Sequence, residues 1–251
     1  MYRAHIRFYQ ELNEFLTPEQ RFQTLECELI GNPGVKDIIE SFGVPHTEVD
    51  LVLVNGESVD FAYQVRDGDR ITVYPMFESL DIAAVSKVRS RPLRRVAFVL
   101  DVHLGRLAAL LRLLGFDPLY RRDYDDPEIV DLALCRGRII LTRDQGLLKR
   151  KAVTHGYFVR STDPETQARE VLHRFDLHQA IRPFSRCLVC NTPLERVDPA
   201  EAEDALPPGI RGRHREITRC PGCGRHYWPG THFENLQKTI TRILTKDEQN
   251  D

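Results

Sequence analysis

The sequence predicts an α/β protein with two folded domains and an appended four-cysteine zinc module. Three observations support this prediction. The first 75 residues read as strand, strand, helix, strand, strand, which is too few alternations for a doubly wound sheet. From residue 95, apolar strands alternate with amphipathic helices, as is typical of a parallel sheet covered on both faces. Two Cys-x-x-Cys pairs then stand 29 residues apart, a pattern that favours zinc.

The N-terminal domain is predicted over residues 1–80. Pro33-Gly34 interrupts the chain before the helix, Gly43 ends the helix, and Asn55-Gly56 is typical of a hairpin turn. The predicted strands cover residues 2–9, 20–30, 49–56 and 67–75, and the helix covers 35–43.

Within this domain, the segment VNGESVDFAYQVRDGDRITVYP resembles the sulfur-carrier branch of the ubiquitin-like β-grasp family. The resemblance implies the β-grasp fold. Such carriers end in a free Gly-Gly tail, whereas this chain reads PMFESLDIAA at that point and continues. A thiocarboxylate therefore cannot form here, and we expect an interaction or regulatory module that binds a protein partner.

The net charge changes sign at the same boundary, near residue 80. Residues 1–80 hold 6 Lys and Arg against 14 Asp and Glu, whereas the remaining residues hold 29 against 23. A basic second part is suited to a polyanion such as RNA, although modest charge that keeps each part in solution is a simpler interpretation. The N-terminus lacks a signal peptide, and no apolar run is long enough for a membrane span. We therefore expect a cytoplasmic protein without membrane contact.

The second domain is predicted over residues 95–182, after a basic linker at 81–94. Asp126 is the predicted N-cap of its second helix, which ends at Gly137. The predicted strands cover 95–101, 117–122, 138–142 and 157–160, and the helices cover 104–115, 126–138, 144–151 and 164–175.

Acidic residues follow three of these strands. Asp101 ends the first, Asp126 and Glu128 follow the second, and Asp144 follows the third. Ligands of open parallel sheets bind outside the carboxyl ends of the strands. Clustered carboxylates repel one another unless a hard cation such as Mg²⁺ or Mn²⁺ lies among them, which predicts metal-assisted phosphodiester hydrolysis. Helix capping explains the same positions, so both interpretations stay open here.

Longer segments carry a second resemblance. RVAFVLDVHLGRLAALLRLLGFDPLY, DDPEIVDLALCRGRIILTRDQGLL, RPFSRCLVCNTPLERV and CPGCGRHYWPGTHFENL resemble the Mut-seven C-terminal ribonuclease family, a branch of the PIN-like nucleases. The resemblance implies a PIN-like α/β sheet with a small zinc module and an Mg²⁺- or Mn²⁺-dependent site that cuts single-stranded RNA. It implies catalytic roles for Asp101 and Asp144, and for Asp126 or Glu128 as the middle acid, with Asp126 the first choice.

Other function classes fit the sequence less well. A non-catalytic RNA-binding adaptor, which would keep the basic surface and the zinc module without a metal at the acids, is the main alternative. A phosphohydrolase or receiver-type pocket needs a second acidic residue close to Asp101. The residues that follow Asp101 are Val102 and His103, and neither is acidic.

The cysteine pairs predict a structural zinc site. Two Cys-x-x-Cys turns complete a tetrahedral four-sulfur shell that leaves no position for substrate, and a reducing cytosol disfavours disulfides. The predicted zinc ligands in the module at 183–251 are Cys187, Cys190, Cys220 and Cys223. The two remaining cysteines, Cys27 and Cys135, stand in apolar surroundings and are predicted core residues.

Contacts with RNA are predicted for four basic residues and one aromatic residue: Arg106, Arg143, Lys149, Arg213 and Trp228. Basic residues hold phosphates, and an aromatic face can stack on a base. Packing over the zinc module is the competing interpretation for Trp228.

Overall fold

The computed structural model describes residues 2–75, 82, 84–88, 96–209, 211, 213 and 215–245. The chain divides into two compact units: unit 1 is Met1–Val96 with Asp125–Phe158, and unit 2 is Ala97–Tyr124 with Val159–Asp251. Most of the predicted linker at 81–94 lies outside the described residues. The predicted domain limits stay predictions.

The strands and α-helices alternate in the predicted manner. In chain order they are β1 (Tyr2–Phe8), β2 (Thr24–Leu29), α1 (Val35–Ser41), β3 (Leu51–Val54), β4 (Glu57–Ser58), β5 (Arg70–Tyr74), β6 (Phe98–Leu100), α2 (Gly105–Leu113), β7 (Pro118–Leu119), α3 (Asp126–Arg136), β8 (Ile139–Thr142), α4 (Gln145–Leu148), β9 (Gly156–Phe158), α5 (Pro164–Arg174), β10 (Glu195–Val197), α6 (Pro199–Ala202), β11 (Ile217–Arg219), β12 (His226–Tyr227) and α7 (Thr231–Thr245).

The first five strands form one mixed sheet in the order β2-β1-β5-β3-β4. β1 and β5 pair in parallel, and the other pairs are antiparallel. With α1 packed on it, this sheet has the predicted ubiquitin-like arrangement. Alternate residues of β1 are buried, and the core includes Ile6, Phe8, Ile39, Val52 and Val73.

Two details of this sheet differ from the prediction. β2 begins at Thr24 rather than residue 20, because the preceding chain forms two 3₁₀ helices, Gln10–Phe15 and Pro18–Gln20. The side-chain amide of buried Asn13 fixes the first by donating to the Phe8 and Gln10 carbonyls. The predicted turn at Asn55-Gly56, with both residues at positive φ, leads into the short additional strand β4.

The rest of unit 1 contains α3, β8, α4 and β9, with β8 and β9 paired in parallel. Asp125, not the predicted Asp126, is the N-cap of α3. The Asp125 carboxylate accepts a hydrogen bond from the Glu128 amide at 2.8 Å, and the Glu128 carboxylate accepts one from the Asp125 amide at 3.1 Å. This reciprocal capping box makes Asp126 the first residue of the helix instead of its cap. α3 ends at Gly137, whose φ is 56°.

The two single cysteines have different environments. Cys27 is half-buried against the N-terminal core, as predicted. Cys135 is exposed, so its predicted core position is wrong. α3 buries Ile129, Val130 and Ala133 on one face, and Cys135 lies off that face.

Within unit 1, the N-terminal domain contacts the segment from Lys149 to Phe158. The Phe158 amide donates to the Glu48 carboxylate at 2.7 Å, and Glu48 is only 2% exposed. His46 Nε2 lies 2.8 Å from the Val153 carbonyl oxygen. These polar contacts join residues about 110 positions apart, and no sequence pattern indicated them.

We expect Glu48→Ala to lower the free energy of unfolding by about 1–3 kcal/mol, because it leaves the half-buried Phe158 amide without its acceptor. Glu48→Gln, which keeps a carbonyl oxygen at that position, is the matched control. Urea unfolding measures the change, and hydrogen exchange of the Phe158 amide locates it. Unchanged exchange at Phe158 in the alanine variant would argue against this contact.

In unit 2, β6 pairs in parallel with β7. α2 buries Leu107, Ala108 and Leu111 and packs against α5, which in turn contacts α7. β10, β11 and β12 form a separate antiparallel sheet near the cysteines. The short strands of this sheet were not predicted. Among the described helices, none is both long and apolar enough to cross a membrane.

Candidate active site and metal centre

Asp101 lies directly after β6 and is 6% exposed. Its Oδ1 accepts a hydrogen bond from the His103 amide at 2.9 Å and caps the 3₁₀ turn Val102–Leu104. The Tyr120 hydroxyl donates to the Val102 carbonyl at 2.9 Å and holds the same turn. A Cβ at Gly105 would lie 2.6 Å from that hydroxyl, so the glycine permits this packing. The carboxylate is therefore held in a fixed orientation.

Asp144 follows β8 and is exposed. Its Oδ1 accepts from the Gly146 amide at 2.7 Å, which makes it the N-cap of α4. Its own amide donates to Oγ1 of the fully buried Thr142 at 2.9 Å. Thr142 thus anchors the backbone of Asp144 to the strand end, a role that sequence reasoning missed.

The two candidates for the middle acid have different partners. Asp126 Oδ2 forms an ion pair with Arg150 Nη2 at 2.8 Å. The Glu128 carboxylate closes the capping box with the Asp125 amide. Either residue would have to share or exchange its present partner in order to bind a metal ion.

Asp101 and Asp144 thus follow their strands and cap the turns after them, whereas Asp126 is the first residue of α3 and not its cap. Within the described part of unit 1, Asp126, Glu128 and Asp144 do not form a group of three whose ligand oxygens lie within 4.8 Å of one another. Carboxylate oxygens nevertheless suit Mg²⁺, which keeps several waters and often uses one or two protein carboxylates. One backbone hydrogen bond, as at Asp144, leaves a carboxylate with further acceptor capacity.

The residues predicted to contact RNA have unequal surroundings. Arg106 and Arg213 are exposed, and Arg143 and Trp228 are half-buried. The Lys149 ammonium donates to the Glu40 carbonyl at 3.2 Å, so it takes part in the contact with the N-terminal domain.

The four predicted zinc ligands come together. Their Sγ atoms all lie within 4.8 Å of one another, with 3.6 Å between Cys187 and Cys223 and 3.2 Å between Cys190 and Cys220. A tetrahedral zinc ion with Zn–S bonds of about 2.3 Å requires S–S separations of about 3.8 Å. All four cysteines are free thiols. The cluster can therefore hold a metal ion such as zinc.

Each cysteine pair lies on a turn of the same design. In each pair, the backbone amide of the first cysteine, Cys187 or Cys220, donates to the carbonyl of the residue five positions later. The carbonyl of the same cysteine accepts a hydrogen bond from the amide of the residue four positions later. The residue four positions on, Asn191 or Gly224, has a positive φ of 66° or 74°. Asparagine and glycine are the residues that tolerate this conformation best. The repeated turn points both sulfur atoms of each pair to one centre.

Desolvation and hydrogen bonds act on the thiols in opposite directions. Desolvation raises the pKa of Cys190, but hydrogen bonds to Thr192 and from neighbouring sulfur atoms lower it to about 6. The Arg225 amide lowers the pKa of Cys223, but desolvation and the other three thiols raise it to about 12. Four sulfur atoms this close cannot all be thiolates unless a cation shares their charge.

Three residues around the cysteines were missed in the sequence. The Asn191 side-chain amide donates to the Asp117 carboxylate at 2.7 Å and to the Pro118 carbonyl at 3.0 Å, which ties the first cysteine turn to β7. The Tyr227 hydroxyl lies 3.0 Å from Cys187 Sγ, and Thr192 Oγ1 accepts from Cys190 Sγ. Their spacing in the chain resembles no local motif.

Comparison with known proteins identifies two segments. Residues 96–240 match the model of the Mut7-C RNAse domain, and residues 1–81 match the model of the Mut7-C ubiquitin domain. No curated protein matches the chain. Among solved structures, the crystal structure of H. volcanii small archaeal modifier protein 1 matches at 18% identity, over 31% of this chain and 100% of that chain, with a TM-score of 0.25.

Proposed function

The chain belongs to the Mut7-C RNase family, and on this basis we propose that it is a divalent-metal-dependent ribonuclease that hydrolyses single-stranded RNA. The family match supports a ribonuclease-type function with RNA as substrate. The observation that carries the proposal is the extent of that match: residues 96–240 include all four candidate acids and all four clustered cysteines.

In this proposal, Asp101, Asp144 and either Asp126 or Glu128 hold Mg²⁺ or Mn²⁺. When bound, such an ion activates water and neutralises negative charge that develops on the phosphoryl group. Asp126 is the first choice for the middle acid. The use of Glu128 would give up its hydrogen bond in the capping box, which costs about 1 kcal/mol.

The protein's own residues hold the acids in place. The His103 amide and the Tyr120 hydroxyl fix the turn that carries Asp101, and Thr142 and the Gly146 amide fix Asp144. Such supports keep a carboxylate pointed at a cation without rearrangement during the reaction. The four cysteines would hold a structural zinc ion, since a closed four-sulfur shell offers no position for substrate.

The remaining predictions complete the proposal. Arg106, Arg143, Arg213 and Trp228 would contact RNA, and Lys149 would do so only if it exchanged its hydrogen bond with Glu40. The ubiquitin-like domain at 1–81 suggests a protein interaction, and we propose a regulatory or partner-binding role for it. We propose a cytoplasmic location, where reduced thiols favour zinc over disulfides.

The test is cleavage of a 5′-fluorescein-labelled single-stranded RNA by the full chain, with its zinc content checked by mass spectrometry. We expect products only when Mg²⁺ or Mn²⁺ is added, and slower cleavage of the same RNA in a duplex. RNA binding without cleavage in either metal would refute the nuclease and favour the adaptor. Calorimetry separates the two independently, because the adaptor predicts no Mn²⁺ heat that depends on Asp101.

A further inference from the structure

A groove of about 680 Å³ lies in unit 2 beside the cysteine centre. Residues of the first cysteine turn, the three-stranded sheet and the start of α7 line it, and we call it the ribbon groove. Four aromatic side chains contribute to its lining: Phe184, Tyr227, Trp228 and Phe233. A cavity of this size lies in the range typical of ligand sites.

Packing contacts hold the aromatic rings of the groove in place. Trp228 is half-buried and packs against the small core around Ile217. Phe184 stacks on Phe233, with ring centroids 4.2 Å apart and an interplanar angle of 29°. Phe184 also has a φ of 57°, a conformation that bulky residues rarely adopt, and its amide donates to the Leu113 carbonyl at 3.1 Å. Strained positions of this kind are concentrated at functional sites.

Three exposed arginines also line the groove: Arg196, Arg215 and Arg225. In the part of the chain that the structure describes, their guanidinium groups form no hydrogen bond or ion pair. A fourth lining arginine, Arg186, is committed to Asp117 and to the Asn191 carbonyl. Glu216 is the acid among the lining residues. The groove thus combines aromatic faces with an excess of arginines over acidic residues.

We propose that the ribbon groove binds single-stranded RNA, with unstacked bases on the aromatic rings and phosphates at Arg196, Arg215 and Arg225. Aromatic faces interleaved with cations are how proteins hold single strands, because every base offers a π-face and every nucleotide a negative charge. A duplex keeps its bases stacked and cannot place them in such a groove. The inference rests on the proposed function and adds a capture site outside the acidic residues.

Trp228 is the only tryptophan in the chain, so intrinsic fluorescence reports directly on the groove. The experiment titrates the full chain carrying Asp144→Asn with a single-stranded oligouridylate at several salt concentrations. In this background binding is measured without cleavage, so failure of the nuclease and failure of the groove are separate results. We expect saturable quenching, and weaker quenching by a duplex of the same length.

Arginine variants test the phosphate contacts. The double variant Arg196→Gln, Arg225→Gln should bind at least about tenfold more weakly at low salt. It should also reduce the slope of log affinity against log salt by about 1.4, since each contact to a single strand contributes about 0.7. Arg219→Gln is the matched control, because Arg219 is exposed on β11 but does not line the groove.

Four outcomes would overturn the proposal. Three of them concern RNA: the absence of quenching at saturating RNA, equal affinity of the double variant and the Arg219 variant, and equal affinity for duplex and single strand. Stronger quenching by an acidic peptide than by RNA would assign the groove to a protein partner and would overturn it as well.

Discussion

Asp144→Asn should reduce the rate of RNA cleavage by about 10³-fold, with RNA binding retained. Loss of a metal-binding carboxylate removes several kcal/mol of transition-state stabilisation, and each 1.36 kcal/mol is a factor of ten in rate. Asparagine keeps the Oδ1 acceptor for the Gly146 amide, so the cap of α4 and the fold are preserved. Single-turnover cleavage of labelled single-stranded RNA measures the effect.

Asp163→Asn is the matched control. Asp163 is also an exposed aspartate that caps a helix, by accepting the Thr166 amide at 2.8 Å, but it belongs to none of the candidate acids. Its substitution should leave the rate unchanged. Equal rates for the Asp144 variant and the Asp163 variant would mean that Asp144 serves only as a cap.

The same assay separates the candidates for the middle acid. Asp126→Asn removes the charge partner of Arg150, and Glu128→Gln keeps an acceptor for the Asp125 amide. Asp101→Asn should match the loss at Asp144, and one of the two middle variants should lose activity as well.

The second large effect is expected at the cysteines. Cys220→Ser should abolish stoichiometric zinc binding and unfold the three-stranded sheet, because Cys220 is fully buried and the sheet has few other apolar contacts. Structural zinc contributes about 10–16 kcal/mol in small zinc-finger peptides. Zinc release measured with a chromophoric chelator, together with thermal unfolding, shows the change.

Cys135→Ser provides the control, since Cys135 is an exposed thiol outside the cluster. It should retain one zinc ion per chain and the thermal stability of the parent protein. Full zinc content and unchanged unfolding in the Cys220 variant would show that the cluster needs no metal for its structure.

Much of the fold could be predicted because its signals are local. Asn55-Gly56 and Gly137 fix turns through their own backbone preferences, and apolar periodicity marks the buried faces of the main helices. The first 3₁₀ helix before β2 was missed because it depends on Asn13, whose side-chain amide donates to the Phe8 and Gln10 carbonyls. The strands of the small sheet are two or three residues long, too short for a periodic pattern.

The candidate site also contains predictable and unpredictable parts. The cysteines were predictable because two ligands come from each short turn, so spacing alone places them. The contacts that hold the acidic residues were not predictable, because they join distant parts of the chain. The Tyr120 hydroxyl donates to the Val102 carbonyl, and Arg150 forms an ion pair with Asp126. The contact between Glu48 and Phe158 has the same character.

The central claim is that carboxylates from separate parts of the chain share one divalent cation. Anomalous diffraction from crystals of the full chain grown with Mn²⁺ tests it most directly. A single peak should lie about 2.1 Å from carboxylate oxygens of both Asp101 and Asp144, the distance at which small hard cations bind oxygen. A peak that contacts neither residue, or carboxylates that face away from one another with no ion between them, would contradict it.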